Sequence, residues 1–148
     1  MPLRTDHHHS FTVSNADRSI GFYRDLLGLQ LIQDVVRENL ESYDRIVGFQ
    51  NARLRIAMLQ LATGDFILEL IEYLNPPGQV REMRNYYAGA SHICFLVDDI
   101  DREYERLSAA GVRFYSTPVD IIRDGKLVTR CLYMLDPDGI TVELDQPA

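Results

Sequence analysis

Apolar side chains recur along the chain in two rhythms, and the rhythms come in the same order twice. Residues 8–13 alternate, with His8, Ser10 and Thr12 on one face and His9, Phe11 and Val13 on the other. That is the period-two signature of a half-buried strand. A helix is predicted next, because Ile20, Tyr23 and Leu27 share one stripe at helical spacing. Asn15 or Ser14 can accept from the free N–H groups of its first turn, and Gly28 can take the left-handed conformation that ends it. From residue 92 onward the order repeats. Asp98 or Asp99 caps, Ile100, Tyr104 and Leu107 form the stripe, and Gly111 stops it. Strand-like runs follow each helix: LQLIQDVVR, ARLRIAMLQL and FILELIEYL in the first half, VRFYST, KLVTRCLYML and ITVEL in the second. Turn signals separate them at 62–65 (ATGD), 123–125 (RDG) and 136–139 (DPDG). Each half therefore reads strand–helix–strand–strand–strand. The long mixed stretch 37–53 reads as a loop or irregular strand.

The two halves also align residue by residue. His8 falls on His92, Phe11 on Phe95, Val13 on Val97 and Asp17-Arg18 on Asp101-Arg102, all 84 residues apart. Downstream, GDFILEL (64–70) resembles DGITVEL (138–144), with Glu69 on Glu143 and Leu70 on Leu144, 74 residues apart. Agreement at both ends in the same order points to a duplicated unit. A single domain over 1–148 is expected, built of modules at about 5–74 and 90–146. The linker, about 75–89, opens on the strand-breaking Asn75-Pro76-Pro77-Gly78.

Composition narrows the partners. A chain of 148 residues, 46% hydrophobic and 25% charged, can bury a real core. Its net charge is −7, and no basic patch exists beyond Arg53 and Arg55 on one strand face. Nucleic acid and anionic membrane surfaces are therefore unsuitable partners. Cys94 and Cys131 are too few for a disulfide framework, which suits a reducing, cytoplasmic compartment. No apolar run approaches the roughly 20 residues of a membrane span.

Two histidines and two glutamates occupy matching places in the repeat. Glu69 shares a strand face with Ile67 and Ile71, and Glu143 shares one with Thr141 and Asp145. Taken alone, a glutamate between leucines is the solvated side of a strand, His8 a surface imidazole and His92 a hydrogen-bonded one. Taken as a set, two imidazoles and two carboxylates suit a divalent transition metal with positions left for substrate. Cys94 shares the face of His92, where it either lines a cavity or, as the commoner case, is a packed, inert thiol.

The stretches HHSFTVSNADRSIGFYRDLLGLQL, FILELIEY, ASHICFLVDDIDREYERLSAAGV and DPDGITVEL resemble the vicinal oxygen chelate superfamily, which holds glyoxalase I, methylmalonyl-CoA epimerase, extradiol dioxygenases and antibiotic resistance proteins. The resemblance implies an α+β fold: two tandem βαβββ modules forming a cupped, incomplete barrel around a metal. It implies one divalent ion (nickel, cobalt, zinc, manganese or iron) held by His8, Glu69, His92 and Glu143. His8 matches because it lies five residues before Val13; His7 is then exposed and His9 faces the core or a dimer partner. The ligand set looks most like that of bacterial glyoxalase I and the epimerases. The function so implied is a lyase or isomerase that transfers a proton through a metal-bound enediolate of a small substrate with vicinal oxygens. Glu143 would be the base and Glu69 its counterpart on the other side of the substrate. A dioxygenase or group-transfer enzyme, and a non-catalytic binder of small molecules such as antibiotics, are the alternatives on the same scaffold. Thr12 stands where glyoxalase I has an arginine for glutathione, and CLYMLDPDGITVEL lacks the epimerase's glycine-rich strand. A homodimer is the family expectation.

Overall fold

Each half of the chain builds one mixed sheet with a helix laid on one of its faces. The computed structural model describes residues 5–148 and divides into two units, Met1–Val80 and Arg81–Ala148. In the first unit the elements are β1 (His9–Val13), α1 (Ala16–Ile20), β2 (Gln30–Arg37), α2 (Glu41–Val47), β3 (Arg53–Gln60) and β4 (Ile67–Asn75). The second holds β5 (His92–Leu96), α3 (Ile100–Ala109), β6 (Arg113–Phe114), β7 (Val119–Arg123), β8 (Lys126–Leu135) and β9 (Thr141–Pro147). The sheet orders are β1-β4-β3-β2 and β5-β9-β8-β6, with β7 also on β8. In both, the first strand runs parallel to the last and the remaining pairs are antiparallel. The α+β class and the two modules of one plan are thus present. None of the helices is long and apolar enough to cross a membrane, among the described residues.

The registers carry the duplication down to single residues. In the first unit Ser10 lies opposite Glu69, and in the second Cys94 lies opposite Glu143. The helix face of each sheet is apolar and buried: Phe11, Val13, Leu59, Leu68 and Leu70 in one unit, Ile93, Leu132, Met134, Val142 and Leu144 in the other. Ile20 and Tyr23, or Ile100 and Leu107, close over it. Full burial of each such side chain contributes roughly 1.5–3 kcal/mol.

Polar devices tie helix to sheet in the same way twice. Asn15 accepts from the Arg18 N–H at 2.8 Å and Asp99 from the Arg102 N–H at 3.0 Å, satisfying donors that a helix start leaves free. A side chain from the last strand reaches the same turn. Glu72 Oε2 accepts from the Ala16 N–H at 2.9 Å, and Gln146 Oε1 accepts from the Ile100 N–H at 2.8 Å. On the third strand Arg55 bonds Asp17 of α1 at 2.8 Å and Asp34 of β2 at 2.8 and 2.9 Å. Arg130 does likewise, to Asp101 of α3 and to Asp120 of β7 at 2.9 Å. The Arg55 guanidinium, chiefly through its hydrogen bonds, holds the carboxyls of Asp17 and Asp34 below their usual range.

Three elements differ from the sequence expectation. The first helix is α-helical only to Ile20 and then widens into a π-helical turn, Gly21–Leu26, before Gly28 at φ +81° turns the chain. Residues 37–53 contain α2, a short helix that buries no side chain and starts at Leu40 without a capping side chain. The side chain that organises its exit is Asp44, which accepts from the N–H groups of Asn51 and Ala52. In the second unit the expected strand VRFYST is only two residues long, β6, and the chain returns to β8 as β7. Pro118, lacking an N–H, lies within the interruption. Residues 116–118 bulge opposite Leu132, between the Tyr115–Tyr133 bond and the Val119–Cys131 pair. The Asp124-Gly125 turn, both residues at positive φ, then closes the β7–β8 hairpin.

Candidate metal centre

The face of each sheet opposite its helix carries one imidazole and one carboxylate side by side. In the first unit His8 Nε2 stands 3.4 Å from Glu69 Oε2, and in the second His92 Nε2 stands 3.2 Å from Glu143 Oε2. Parity explains both pairs. His8 precedes β1 by one residue and sits two residues before Ser10, the register partner of Glu69. His92 sits two residues before Cys94, the register partner of Glu143. A parallel pair of strands thus brings a histidine and a glutamate of offset register onto one face.

The pairs meet the demands of a cation. Metal–nitrogen and metal–oxygen bonds of about 2.0–2.2 Å place two neighbouring ligand atoms roughly 3.0–3.4 Å apart. Both observed separations fall in that range. Glu69 is not on a solvated face: the residue is only 9% exposed, and a buried carboxylate needs a compensating positive partner. Glu143 is half-buried. Each pair, taken by itself, is a fitting half of a ligand set.

The other sequence candidates sort as follows. His7 is exposed, with Nδ1 at 2.7 Å from Nδ1 of His8. His9 turns to the helix face, its ring edge-on to Phe11 at 4.8 Å between centroids. Cys94 is exposed rather than packed in the core, because it lies on the face opposite the helix. Its sulfur lies within 4.8 Å of carboxylate oxygens of Glu143 and Asp145, a further group able to touch a cation. Local desolvation first, and the charges of Glu143 and Asp145 next, push the Cys94 thiol up to about 12. The thiol is therefore protonated at neutral pH in this arrangement. Asp145 already accepts from the hydroxyl of Thr129.

Two neighbours, Tyr133 and Asn85, escaped the sequence reading. The ring of Tyr133 lies against His92, 5.2 Å between centroids at 41°, and Tyr133 is the β8 partner of Glu143. Its phenol is pushed above its usual value, first by burial and then by the charge of Glu143. Its counterpart beside Glu69 is Met58, so no similarity between the halves could have flagged it. Thr141, the register partner of His92, donates its hydroxyl to Asn85 Oδ1 at 2.8 Å. That bond brings the segment before β5 onto the same face.

Comparison with known proteins follows the same lines. The profile of the Glyoxalase/Bleomycin resistance protein/Dioxygenase superfamily matches residues 6–144. The chain is 32% identical to a 2-epi-5-epi-valiolone epimerase of Actinomyces sp., over 93% of this chain and 76% of that protein. It is 28% identical to a lactoylglutathione lyase of Schizosaccharomyces pombe, over 93% of this chain but 45% of the larger protein. Among solved structures, a glyoxalase family protein from Bacillus cereus superimposes with a TM-score of 0.83 at 27% identity, covering 99% of this chain and 95% of that one.

Proposed function

The chain belongs to the glyoxalase/bleomycin resistance protein/dioxygenase superfamily, and from that premise we propose that it is a metal-dependent isomerase or lyase. Its reaction moves a proton at the carbon beside a carbonyl in a small substrate with two adjacent oxygens. The observation that carries this reading is the repetition of one imidazole–carboxylate pair, in one register and on one sheet face, in both units. Similarity to an epimerase and to a lactoylglutathione lyase points to the same carbon-acid chemistry.

His8, Glu69, His92 and Glu143 would hold one divalent ion. When bound, such an ion polarises the adjacent oxygens and acidifies the neighbouring C–H. The protein's own groups do the rest. Glu143 takes the proton from carbon through its carboxylate, for which one of its oxygens must be free. Glu69 is its counterpart on the other side of the substrate and returns a proton there. Two acid–base groups on opposite faces of a carbon permit its inversion, since the proton leaves one face and arrives at the other.

The test is solvent exchange. An α-hydroxyketone incubated in D₂O with metal-loaded protein is expected to gain deuterium at the carbon beside the carbonyl. Glu143→Gln, at unchanged metal content, is expected to slow that gain at least about a hundredfold. Deuterium uptake equal in the variant and the parent would overturn Glu143 as the base. Oxygen consumption in place of exchange would overturn the reaction class. A homodimer is part of the proposal; Ile32, Val36, Ile46 and Phe49 present apolar surface on or beside β2 and α2, and light scattering measures the mass directly.

A further inference from the structure

The site-bearing face of the second sheet continues well beyond its metal-type donors. One cross-strand row runs His92, Thr141, Leu135, Arg113, and the next runs Cys94, Glu143, Tyr133, with Tyr115 joined to Tyr133 by a 3.0 Å backbone bond. Phe114, between Arg113 and Tyr115, turns the other way: its ring meets Tyr104 of α3 at 4.9 Å. Alternation therefore puts Arg113 and Tyr115 on the face of His92 and Glu143. Arg113 is exposed and has no ion-pair partner among the described residues. Tyr115 is 52% exposed. Three strand spacings separate the backbone of Arg113 from that of His92, about 14 Å, which a flexible arginine side chain shortens. The corresponding end of the first sheet is neutral, with Gln30 paired to Gln60.

We propose that this face is a recognition wall. Tyr133 and Tyr115 form its floor, Arg113 its far end, and the substrate carries an anionic group, phosphate or carboxylate, at the end remote from its reacting carbon. A planar guanidinium is suited to either anion by paired hydrogen bonds. In a chain of net charge −7, a free cation on the site face offsets the repulsion that an anionic substrate would otherwise meet. The inference rests on the proposed reaction only for the identity of the reacting end; the anion subsite itself stands on the second sheet alone.

The experiment is calorimetric binding to the full chain, with and without added cobalt, of three probes: ribulose, its terminal phosphate ester, and a keto-gluconate with a terminal carboxylate. At least one anionic probe is expected to bind about tenfold or more tightly than ribulose. Arg113→Gln is expected to erase that preference while leaving cobalt stoichiometry unchanged. Arg45→Gln, which removes the same charge from α2, is expected to change it less than about twofold. Preference for the phosphate ester alone, or for the carboxylate alone, identifies the anion. Equal binding of all three probes, or equal losses in Arg113→Gln and Arg45→Gln, would overturn the wall. Absence of cobalt binding with the anion preference intact would instead overturn the metal reading and leave the wall standing.

Discussion

The two units share their fastenings and differ in what surrounds their glutamates. Glu72 and Gln146 tie the last strand to the helix start, and Arg55 and Arg130 clasp an aspartate on the helix and another on the second strand. His8–Glu69 and His92–Glu143 repeat on the opposite face. Across from Glu69 stand Ser10 and Met58; across from Glu143 stand Cys94 and Tyr133. The second strand is continuous in one unit and broken by residues 116–118 in the other. Scaffold and donor pairs are thus common property, while Tyr133 beside the glutamate and Arg113 at the far end of the His92 row belong to the second unit. Under the proposed function both units would contribute ligands, and the second would recognise the substrate.

That comparison can be broken at its strongest point first. Glu69→Gln is expected to leave deuterium exchange through Glu143 in place while abolishing inversion at the carbon, whereas Glu143→Gln is expected to lose both by about a hundredfold. Identical losses in the two variants, measured by NMR of the recovered substrate, would mean that the glutamates share one role. The cores come next. Leu70 and Leu144 occupy matching, buried positions, and each change to alanine is expected to cost about 2–5 kcal/mol in urea titration. A loss at one and not the other would show that the units are unequal in stability.

Smaller effects test the fastenings. Glu72→Ala and Gln146→Ala each remove a partner of a helix-start N–H and are expected to cost about 1 kcal/mol. The arginine clasp gives a pH dependence of fixed sign. Because Arg55 lowers Asp34 and Asp17 from the ordinary 3.8, the unfolded chain binds more protons than the native one in mild acid. The stabilisation is complete above the ordinary value and is lost as pH falls through the lowered one. Arg55→Gln is therefore expected to lose stability at neutral pH, and its difference from the parent is expected to shrink as pH falls through the lowered carboxyl values. A difference that stays constant with pH, in urea titrations followed by circular dichroism, would count against the clasp.

Much of this was legible in the sequence because it is periodic or repeated. Asn15, Asp99, Gly28 and Gly111 mark helix ends by local chemistry, and offsets of 84 and 74 residues place His8 on His92 and Glu69 on Glu143. What escaped was either non-local or weakly patterned. α2 buries nothing and lacks a capping side chain, so neither periodicity nor a cap announces it. β7 is exposed at four of its five positions, which leaves no alternation to read. Arg55 reaches across 38 residues to Asp17 and 21 to Asp34, a distance at which single-sequence patterns carry no information. Tyr133 has a methionine for its counterpart, so the repeat that exposed the donors concealed their neighbour.

The most direct measurement is metal content per chain, by elemental analysis after mild purification, in the parent, His8→Ala and His92→Ala, with circular dichroism confirming the fold. One ion per chain in the parent, lost in both variants, is expected if the two pairs serve a single cation. One ion retained in either variant, or two ions in the parent, would contradict it, because each pair would then be acting alone.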